Sequence, residues 1–228
     1  PLGLETETIT KKRLGTNIKQ AWGMSELSPL GTMNSDFNAR SASIGPLCPS
    51  TYGKIIDDTG KSLGPNKTGE LLIKGPQVMM GYLNDTEKTE ECLSDGGWLR
   101  TGDLAYYDED GYFYIVDRIK ELIKVRGFPV APAELEELIL NNEHVQDVAV
   151  VQIPDEESGE LPRAYVVLNS SADPKEVTEE YMKNWVKERV SPHKRIEGGV
   201  IFTDAIPKSA SGKILRRILR DQVKEEFA

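Results

Sequence analysis

The first half of the chain alternates short apolar runs with turn-forming residues. From about Gly45 to Gly111, glycine and proline separate runs such as Tyr52–Asp57 and Glu70–Lys74. Short apolar runs between turn dipeptides are typical of strands joined by tight loops. We therefore expect small strands and loops in this region.

In the second half the pattern changes, and strands are expected to alternate with amphipathic helices. Tyr112–Val116 and Glu121–Val125 are strand candidates. Pro132 suits the first position of a helix that runs to Leu140, because a helix leaves its first N–H groups unpaired and proline has none. The apolar residues on one face of this helix are Leu135, Leu138 and Ile139.

Two further strands are expected at Val148–Ile153 and Ala164–Leu168, joined by an acidic turn. Asp173 is a candidate cap for a helix from Pro174 to about Val190. The residues of that helix that should face the core are Val177, Tyr181 and Trp185.

The chain is expected to close with a short strand at Gly199–Thr203 and a helix from about Ser211. The buried stripe of this helix would consist of Ile214, Leu215, Ile218 and Leu219. Its basic residues, Lys213, Arg216, Arg217 and Arg220, are interpreted as a solvated face and not as a polyanion site. The second half then forms an α+β domain of roughly 110 residues, which is a normal domain size.

Composition narrows the class of protein. The 228 residues carry 28 Lys and Arg against 37 Asp and Glu, a formal net charge of −9, which argues against nucleic acid as the main ligand. Hydrophobic residues make up 38%, enough for a packed core, and the length suggests one large or two small domains. No apolar run approaches the ~20 residues that a membrane span needs.

The cysteines and histidines give no sign of a disulfide framework or a metal site. Cys48 and Cys92 are far apart and neither belongs to a C-x-x-C pair, while His144 and His193 lack partners at ligand spacing. A reducing cytosol suits such cysteines, and a cytoplasmic location is the expectation. Pro1 is interpreted as a cut end, because no initiator Met or signal pattern begins the chain.

Each candidate functional segment permits a structural and a functional interpretation. Trp22-Gly23 could stack a planar base or simply occupy a turn. Asp103, expected in a turn after Thr101-Gly102, could cap its own backbone or accept hydrogen bonds from two sugar hydroxyls. Lys213 follows a Ser/Gly segment, but Pro207 stands where a phosphate loop requires its first glycine, which leaves a mobile point charge or a solvated lysine.

Five segments occur in an order that resembles the adenylate-forming superfamily of acyl-CoA synthetases, firefly-type luciferases and peptide-synthetase adenylation domains. The segments are Gln20–Glu26, Gly69–Tyr82, Gly97–Asp103, Asp117–Lys124 and Pro207–Lys213. The resemblance covers essentially the whole chain. The stretch from Val116 through Glu136 is most similar to 4-coumarate:CoA ligases and their luciferase relatives.

The resemblance implies that ATP and a carboxylic acid form an acyl-adenylate, after which the thiol of CoA displaces AMP. Positive charge is needed where the two anions meet. The implied catalytic residues are Lys213, Lys124 and Glu26, with Glu26 holding Mg²⁺. The implied ATP- and AMP-binding residues are Gln20, Ala21, Trp22 as the stacking ring, Ser25, Asp103, Arg118 and Lys120. Trp22 and Ser25 stand where the family more often has Tyr and Thr.

The family also assigns roles to the two domains. Residues 1–116 would form the carboxy-terminal part of the large AMP-binding domain, an α/β remnant plus a β-barrel-like section. Residues 117–228 would form the complete small α+β domain, which turns about a hinge at Asp117. Asp103 would take the ribose hydroxyls and Arg118 would assist from the next domain. Lys213 would act in adenylation, while Lys124 and Lys120, on the opposite face of the small domain, would serve thioester formation.

The resemblance places the CoA arm and the acyl group as well. Arg126 and Gly127 would lie where the pantetheine arm of CoA enters. The implied residues of the acyl pocket are Gly23, Met24, Pro29 and Leu30. Pro129 departs from the family, which usually has a Gln there that hydrogen-bonds near the adenylate, and proline offers no such donor. An aromatic or phenylpropanoid acid ranks first as the substrate and a fatty acid second.

No segment of residues 1–20 resembles the phosphate loop of the family. The chain is therefore interpreted as the carboxy-terminal part of a longer ligase, and it is expected to be inactive alone. One alternative is a luciferase-like enzyme, or one that uses a carrier protein in place of CoA. Another is a non-catalytic nucleotide-binding module. The carboxy terminus is not a peroxisomal Ser-Lys-Leu signal.

Overall fold

A computed structural model describes residues 2, 4–94, 96–210 and 212–227, without the side chain of Glu5. The chain divides into two compact units, the first ending at Lys120 and the second beginning at Glu121. This division lies four residues beyond the predicted boundary after Val116. The assignment of residues 1–116 and 117–228 to two functional domains stays a prediction.

The first unit is built from strands, as the Gly/Pro punctuation predicts. Its helices are α1 (Leu4–Leu14) and α2 (Thr86–Cys92), and a 3-10 turn spans Ser25–Leu27. Its strands are β1 (Ala21–Gly23), β2 (Leu30–Met33), β3 (Tyr52–Ile56), β4 (Ser62–Leu63), β5 (Gly69–Lys74), β6 (Leu93–Ser94), β7 (Trp98–Tyr107) and β8 (Phe113–Arg118). A second 3-10 turn at Ile119–Glu121 leads out of this unit.

Two antiparallel sheets organise the first unit. β1 pairs with β2, and the larger sheet has the order β4-β3-β5-β7-β6 with β8 also paired to β7. Apolar residues that alternate along these strands form its core, which is centred on Ile55, Leu71, Ile73 and Leu99. The long strand β7 pairs with β5 and also with β8, so residues of these three strands are in fixed register.

The second unit confirms the predicted α+β fold. Its strands are β9 (Ile123–Val125), β10 (Phe128–Val130), β11 (Val145–Asp155), β12 (Gly159–Leu168) and β13 (Val200–Phe202). Its helices are α3 (Pro132–Leu140), α4 (Glu179–Lys187) and α5 (Arg216–Glu226), with a 3-10 turn at Pro192–Lys194. The sheet order is β10-β9-β12-β11, and β13 lies parallel to β12.

Both faces of this sheet are covered by helices. Val148 and Val150 of β11 point into a core shared with α3 and α4. Ala149 and Val151 of the same strand pack instead with Leu219 and Val223 of α5. Strands buried on both faces lose the apolar–polar alternation, which is why β11 and β12 are continuous apolar runs in the sequence.

Two predicted helix features are wrong. α4 begins after Thr178, whose side chain accepts a hydrogen bond from the N–H of Tyr181. Asp173 instead binds the N–H of Lys175 at 2.9 Å and closes a separate turn, because its short side chain reaches the backbone two residues on. The helix therefore does not start at Pro174.

The last helix also differs from its prediction. α5 starts at Arg216, and its buried residues are Leu219 and Val223, while Leu215 and Ile218 are more than a third exposed. Ser211 lies outside the described residues. The basic residues of this helix are not all solvated, because Arg216 pairs with Glu136 and Arg220 with Glu121. In the part of the chain that is described, no helix is long and apolar enough to cross a bilayer.

Candidate functional site

Asp103 is the most constrained of the predicted site residues. It lies within β7, and not in the predicted turn, because Thr101 and Gly102 continue the strand through an irregularity in the pairing with β5. Its Oδ2 accepts a hydrogen bond from Trp22 Nε1 at 2.8 Å, and its Oδ1 pairs with Arg118 Nε at 2.9 Å. One carboxylate oxygen of this buried Asp therefore has a hydrogen-bond donor, and the other lies beside a cation in an ion pair.

Arg118 reaches Asp103 from the adjacent strand. The two residues are register partners of β7 and β8 within the first unit. The pairing of β8 with β7 places Arg118 in the compact unit that contains Asp103, and the expectation that Arg118 assists from the next domain stays a prediction. Burial raises the pKa of Asp103, and the charge of Arg118 and the hydrogen bond from Trp22 oppose that rise.

The residues predicted to line the acyl pocket belong to the strands β1 and β2 and the turn between them. The N–H of Met24 donates to the carbonyl of Pro29 at 2.8 Å, and Gly23 pairs with Leu30. A Cβ at Gly23 would lie 1.9 Å from the Pro29 carbonyl oxygen, so this close approach requires glycine. Their role in binding an acyl group stays a prediction.

Gln20 and Ala21 lie at the start of β1. The side chain of Gln20 binds the backbone of Leu2 at 2.8 and 3.0 Å and reaches Glu7 at 3.3 Å. Glu7 is buried on α1 and also accepts from the N–H of Ala42 at 2.9 Å. These bonds fix the end of the strand that carries Trp22, while Ala21 itself is exposed.

Glu26 lies in the 3-10 turn after the exposed Ser25, and a loop of the larger sheet holds it at two points. The hydroxyl of Tyr82 donates to Glu26 Oε1 at 2.6 Å, and the N–H of Met79 donates to the Glu26 carbonyl at 2.8 Å. The nearby carboxylate raises the pKa of Tyr82 to about 12. Tyr82 was not among the predicted site residues, although it ends the Gly69–Tyr82 motif.

A cleft of about 360 Å³ opens beside these groups. It brings together the predicted residues Met24, Glu26, Arg118 and Lys120. Its remaining lining residues are Glu70, Tyr82, Lys88, Glu91, Cys92, Leu99, Arg100, Thr101 and Gly102. Sequence reasoning missed Lys88 and Arg100, which are paired to Asp85 and Glu70; Arg100 lies within the Gly97–Asp103 motif but was not singled out as a site residue. Mixed cations and carboxylates around a cleft can bind an anion together with a cation.

The carboxylates of the first unit fit magnesium only if water and substrate phosphate complete its coordination shell. Among the described residues, no cluster of three or more His, Cys, Asp and Glu could hold a metal ion. Mg²⁺ commonly takes one or two protein carboxylates and completes its shell with water and substrate phosphate. Glu26, with one oxygen held by Tyr82, fits that sparse form of ligation.

In the second unit, Arg126 and Gly127 form the two-residue turn between β9 and β10. Their φ angles are +50° and +82°, as a tight hairpin requires. The N–H of Arg126 donates to the carbonyl of Ser158 at 2.8 Å, which ties the turn to the β11–β12 loop. A Cβ at Gly127 would meet nothing within 4 Å, so open space lies beside this turn.

Lys124 and Pro129 face each other across the same hairpin. Lys124 is exposed, and its N–H donates to Glu160 at 2.7 Å. Pro129 stands on β10, an edge strand, opposite a position where a two-residue hairpin makes no ladder bond, so the missing N–H of proline costs no pairing. Lys120, assigned above to the small domain, falls at the end of the first unit and in its cleft, because the chain divides only after it.

Lys213 lies on an exposed turn ahead of α5. The N–H of Ser209 donates to the Lys213 carbonyl at 2.9 Å, and the N–H of Leu215 donates to the Pro207 carbonyl at 2.8 Å. These backbone hydrogen bonds fix the base of the turn. The side-chain amino group of Lys213 makes no ion pair with the described residues. Asp117 is buried in β8, where it accepts from the N–H of Arg118 at 2.7 Å, and its hinge role stays a prediction.

Two family models match the chain. The model for the AMP-binding enzyme matches residues 1–83, and the model for the AMP-binding enzyme C-terminal domain matches residues 134–213. The segment between these matches holds Asp103, Arg118, Lys124 and Arg126.

Relatives and solved structures give the same family. Luciferin 4-monooxygenase of Photuris pensylvanica is 45% identical over 96% of this chain and 40% of its own length. Probable 4-coumarate–CoA ligase 3 of Dictyostelium discoideum is 44% identical over 97% of this chain and 40% of its own length. ATP-bound MatB from Rhodopseudomonas palustris has a TM-score of 0.92 at 30% identity, covering 100% of this chain and 45% of that structure. The chain thus spans about 40% of the length of these curated relatives.

Proposed function

This chain belongs to the adenylate-forming family of AMP-binding enzymes, and from that premise we propose that it works as part of an ATP-dependent carboxylate:CoA ligase. The observation that carries the proposal is the buried Asp103, held by Trp22 and Arg118 beside a cleft lined by cations and Glu26. A carboxylate with spare acceptor capacity suits the two hydroxyls of a ribose.

The proposed roles divide between the two units. In the first unit, Asp103 and Arg118 bind the nucleotide sugar, Gln20, Ala21, Trp22 and Ser25 border the base and phosphate, and Glu26 with Lys120 faces the phosphates. Mg²⁺ bound at Glu26 would supply positive charge to the phosphates. Gly23, Met24, Pro29 and Leu30 form the acyl pocket in this proposal.

In the second unit, Lys213 offsets the charge of the substrate carboxylate and the α-phosphate during adenylation. Its exposed turn suits a group that must enter and leave a site. Lys124 serves thioester formation, and Arg126 with Gly127 admits the arm of CoA, for which the open space beside Gly127 leaves room. Asp117 is the proposed hinge between the two reactions.

The acyl substrate proposed first is an aromatic acid of the phenylpropanoid type, and a fatty acid second. The similarity to probable 4-coumarate–CoA ligase 3 supports this order. The similarity to a luciferin 4-monooxygenase supports a second candidate, in which the adenylate reacts with oxygen instead of CoA. Both candidates share the adenylation step and differ only in the acceptor.

The test uses a chimera in which this chain replaces the matching part of the Dictyostelium relative. Adenylation is measured by ATP–pyrophosphate exchange with 4-coumarate, and thioester formation is measured separately from supplied acyl-adenylate. Lys213→Ala should slow exchange by about 100-fold or more, the magnitude typical of losing one group that stabilises developing charge. Thioester formation should be largely retained, and the control Lys224→Ala should change neither.

Several outcomes would reject the proposal or part of it. Equal loss of both half-reactions in Lys213→Ala would contradict the assigned roles. AMP binding by the chimera without any exchange would favour a non-catalytic module. Light emission without thioester would favour oxygen as the acceptor. The 228-residue chain itself should bind AMP but form no acyl-CoA, and ATP-dependent thioester formation at an enzymatic rate would contradict that expectation.

A further inference from the structure

We propose that Trp22 is the positioning residue for Asp103 and acts through its indole N–H. This inference deepens the nucleotide-binding role proposed above and rests on it. It replaces the expectation that Trp22 serves mainly as a ring on which adenine stacks. The three groups that carry it are Trp22, Asp103 and Arg118.

The two oxygens of Asp103 have different partners, because Oδ2 accepts a hydrogen bond and Oδ1 takes part in an ion pair. Trp22 Nε1 lies 2.8 Å from Oδ2, and Arg118 Nε lies 2.9 Å from Oδ1. An ionised carboxylate offers about four acceptor positions, two on each oxygen. The indole N–H fills one position on Oδ2, and acceptor positions remain on both oxygens, with the charge of Arg118 beside Oδ1. That arrangement matches two vicinal hydroxyls, one for each oxygen.

Packing fixes the orientation of the Trp22 ring. Trp22 is half-buried against the core of the first unit, and its strand β1 pairs with β2 opposite Thr32. A Cβ at Gly31 would lie 2.5 Å from Cζ3 of the ring, so the six-membered part of the indole lies close against the backbone of β2. A ring held this way directs its N–H toward one place, which is Asp103.

Trp22 is the less screened of the two partners. The side chain of Asp103 is 3% exposed and that of Arg118 is 59% exposed, so water and salt weaken the Arg118 pair. The indole hydrogen bond comes from a packed ring and does not depend on ionic strength in the same way. We therefore assign to Trp22 the larger share of holding the carboxylate in place.

The decisive comparison is Trp22→Phe against Trp98→Phe in the 228-residue chain. Phenylalanine keeps an aromatic ring but has no N–H. Carboxyl ¹³C NMR should show the pKa of Asp103 rising further in Trp22→Phe, because a donor to the ionised form is lost while burial remains. AMP affinity should fall about tenfold, the effect of losing one hydrogen bond to a charged group. Trp98→Phe, a half-buried tryptophan of the same unit, should change neither value.

A stacking role predicts a different result. If Trp22 only stacks, Trp22→Phe should leave the Asp103 titration unchanged and retain most of the affinity for AMP. That result would overturn the proposal while leaving nucleotide binding intact. If instead no variant and no wild-type chain binds AMP, the nucleotide-binding function fails, and the titration still decides whether Trp22 positions Asp103.

A measurement on the unaltered chain covers the case in which Trp22→Phe does not fold. The indole ¹H–¹⁵N resonance of Trp22 should shift with pH at the same midpoint as the carboxyl resonance of Asp103. In Asp103→Asn the indole resonance should no longer follow that titration. An indole resonance that ignores the titration of Asp103 in the unaltered chain would also overturn the proposal.

Discussion

The proposed site residues of the first unit are held by side-chain contacts, whereas the proposed lysines of the second unit are exposed, Lys124 on strand β9 and Lys213 on a turn. Asp103 and Glu26 each have an aromatic donor within 2.8 Å. Lys124 and Lys213 are exposed, and their amino groups make no ion pair with any described residue. The acceptor groups are thus fixed before a ligand arrives, while the cations can change position at little cost.

The turn that carries Lys213 is exposed, but the helix behind it is firmly attached. Arg216 and Arg220 of α5 pair with Glu136 at 2.6 Å and with Glu121 at 2.5 Å. At the far end of the helix, Glu226 pairs with Arg163 at 2.5 Å. The two units therefore differ in whether the functional groups at the ends of their proposed site side chains are held by contacts. Each unit has its own rigid framework.

The largest expected effect comes from breaking that framework with Glu136→Ala. Glu136 is buried, accepts from the N–H of Val150 at 2.8 Å and pairs with the largely buried Arg216. Removing one partner of a buried pair leaves the other charge without compensation, at a cost of about 3 kcal/mol or more. Chemical denaturation should show this loss, and hydrogen exchange should show faster opening of α5.

The matched control is Glu137→Ala, the exposed neighbour on α3. It should change the free energy of unfolding by less than about 0.5 kcal/mol. If both variants lose the same stability, the effect arises from helix α3 in general, and the ion pair would not be what holds α5.

The next effect concerns the first unit, where Glu7→Gln should remove a pH-dependent stabilisation. Burial alone would raise the pKa of Glu7, but Lys11, the N–H of Ala42 and other donors lower it to about 2 from 4.5. A lowered pKa contributes stability above pH 4.5 that is lost as the pH falls toward 2. We expect a loss of about 2 kcal/mol at pH 7, measured by urea denaturation.

In Glu7→Gln the slope of stability against pH between about 4.5 and 2 should become shallower. Glu90→Gln, an exposed residue of α2, is the control and should keep the wild-type slope. An unchanged slope in Glu7→Gln would show that Glu7 does not anchor α1, and that Gln20 is held by its bonds to Leu2 alone.

Most of the fold could be predicted from the sequence, because the two halves differ in hydrophobic period. The helix at Pro132–Leu140 was predicted at its observed bounds, since proline marks its first position. The start of α4 was missed because Asp173 and Thr178 are both good caps, and only the burial of Val177 outside the helix favours the second. Packing against neighbouring elements decides which of the two caps begins the helix, and the sequence alone does not show that packing.

The candidate site could be predicted only as far as its motifs extend. The motifs identify Trp22, Asp103 and Arg118, but not the hydrogen bond between residues 81 positions apart. The motif Asp117–Lys124 spans the division of the chain, so the sequence alone does not show that Arg118 pairs with Asp103 within the first unit. No local pattern marks Lys88, and the motif that contains Arg100 does not show that its side chain lines the cleft.

The smallest expected effect tests the contact on Glu26, with Tyr82→Phe. The hydroxyl of Tyr82 is 2.6 Å from Glu26 Oε1, but the residue is 40% exposed, so water can replace the lost bond in part. We expect a stability loss of about 1 kcal/mol.

A pH titration separates this contact from simple packing. Because the pKa of Tyr82 is raised to about 12, its contribution is complete below pH 10 and is lost as the pH rises through 12. In Glu26→Gln, absorbance at the tyrosinate band should show one tyrosine ionising nearer pH 10, its ordinary value. Tyr52→Phe is the control, since Tyr52 is 66% exposed and its hydroxyl has no hydrogen bond to the described residues. If Glu26→Gln leaves the tyrosine titration unchanged, Tyr82 does not hold Glu26, and the fixed acceptors of the first unit reduce to Asp103.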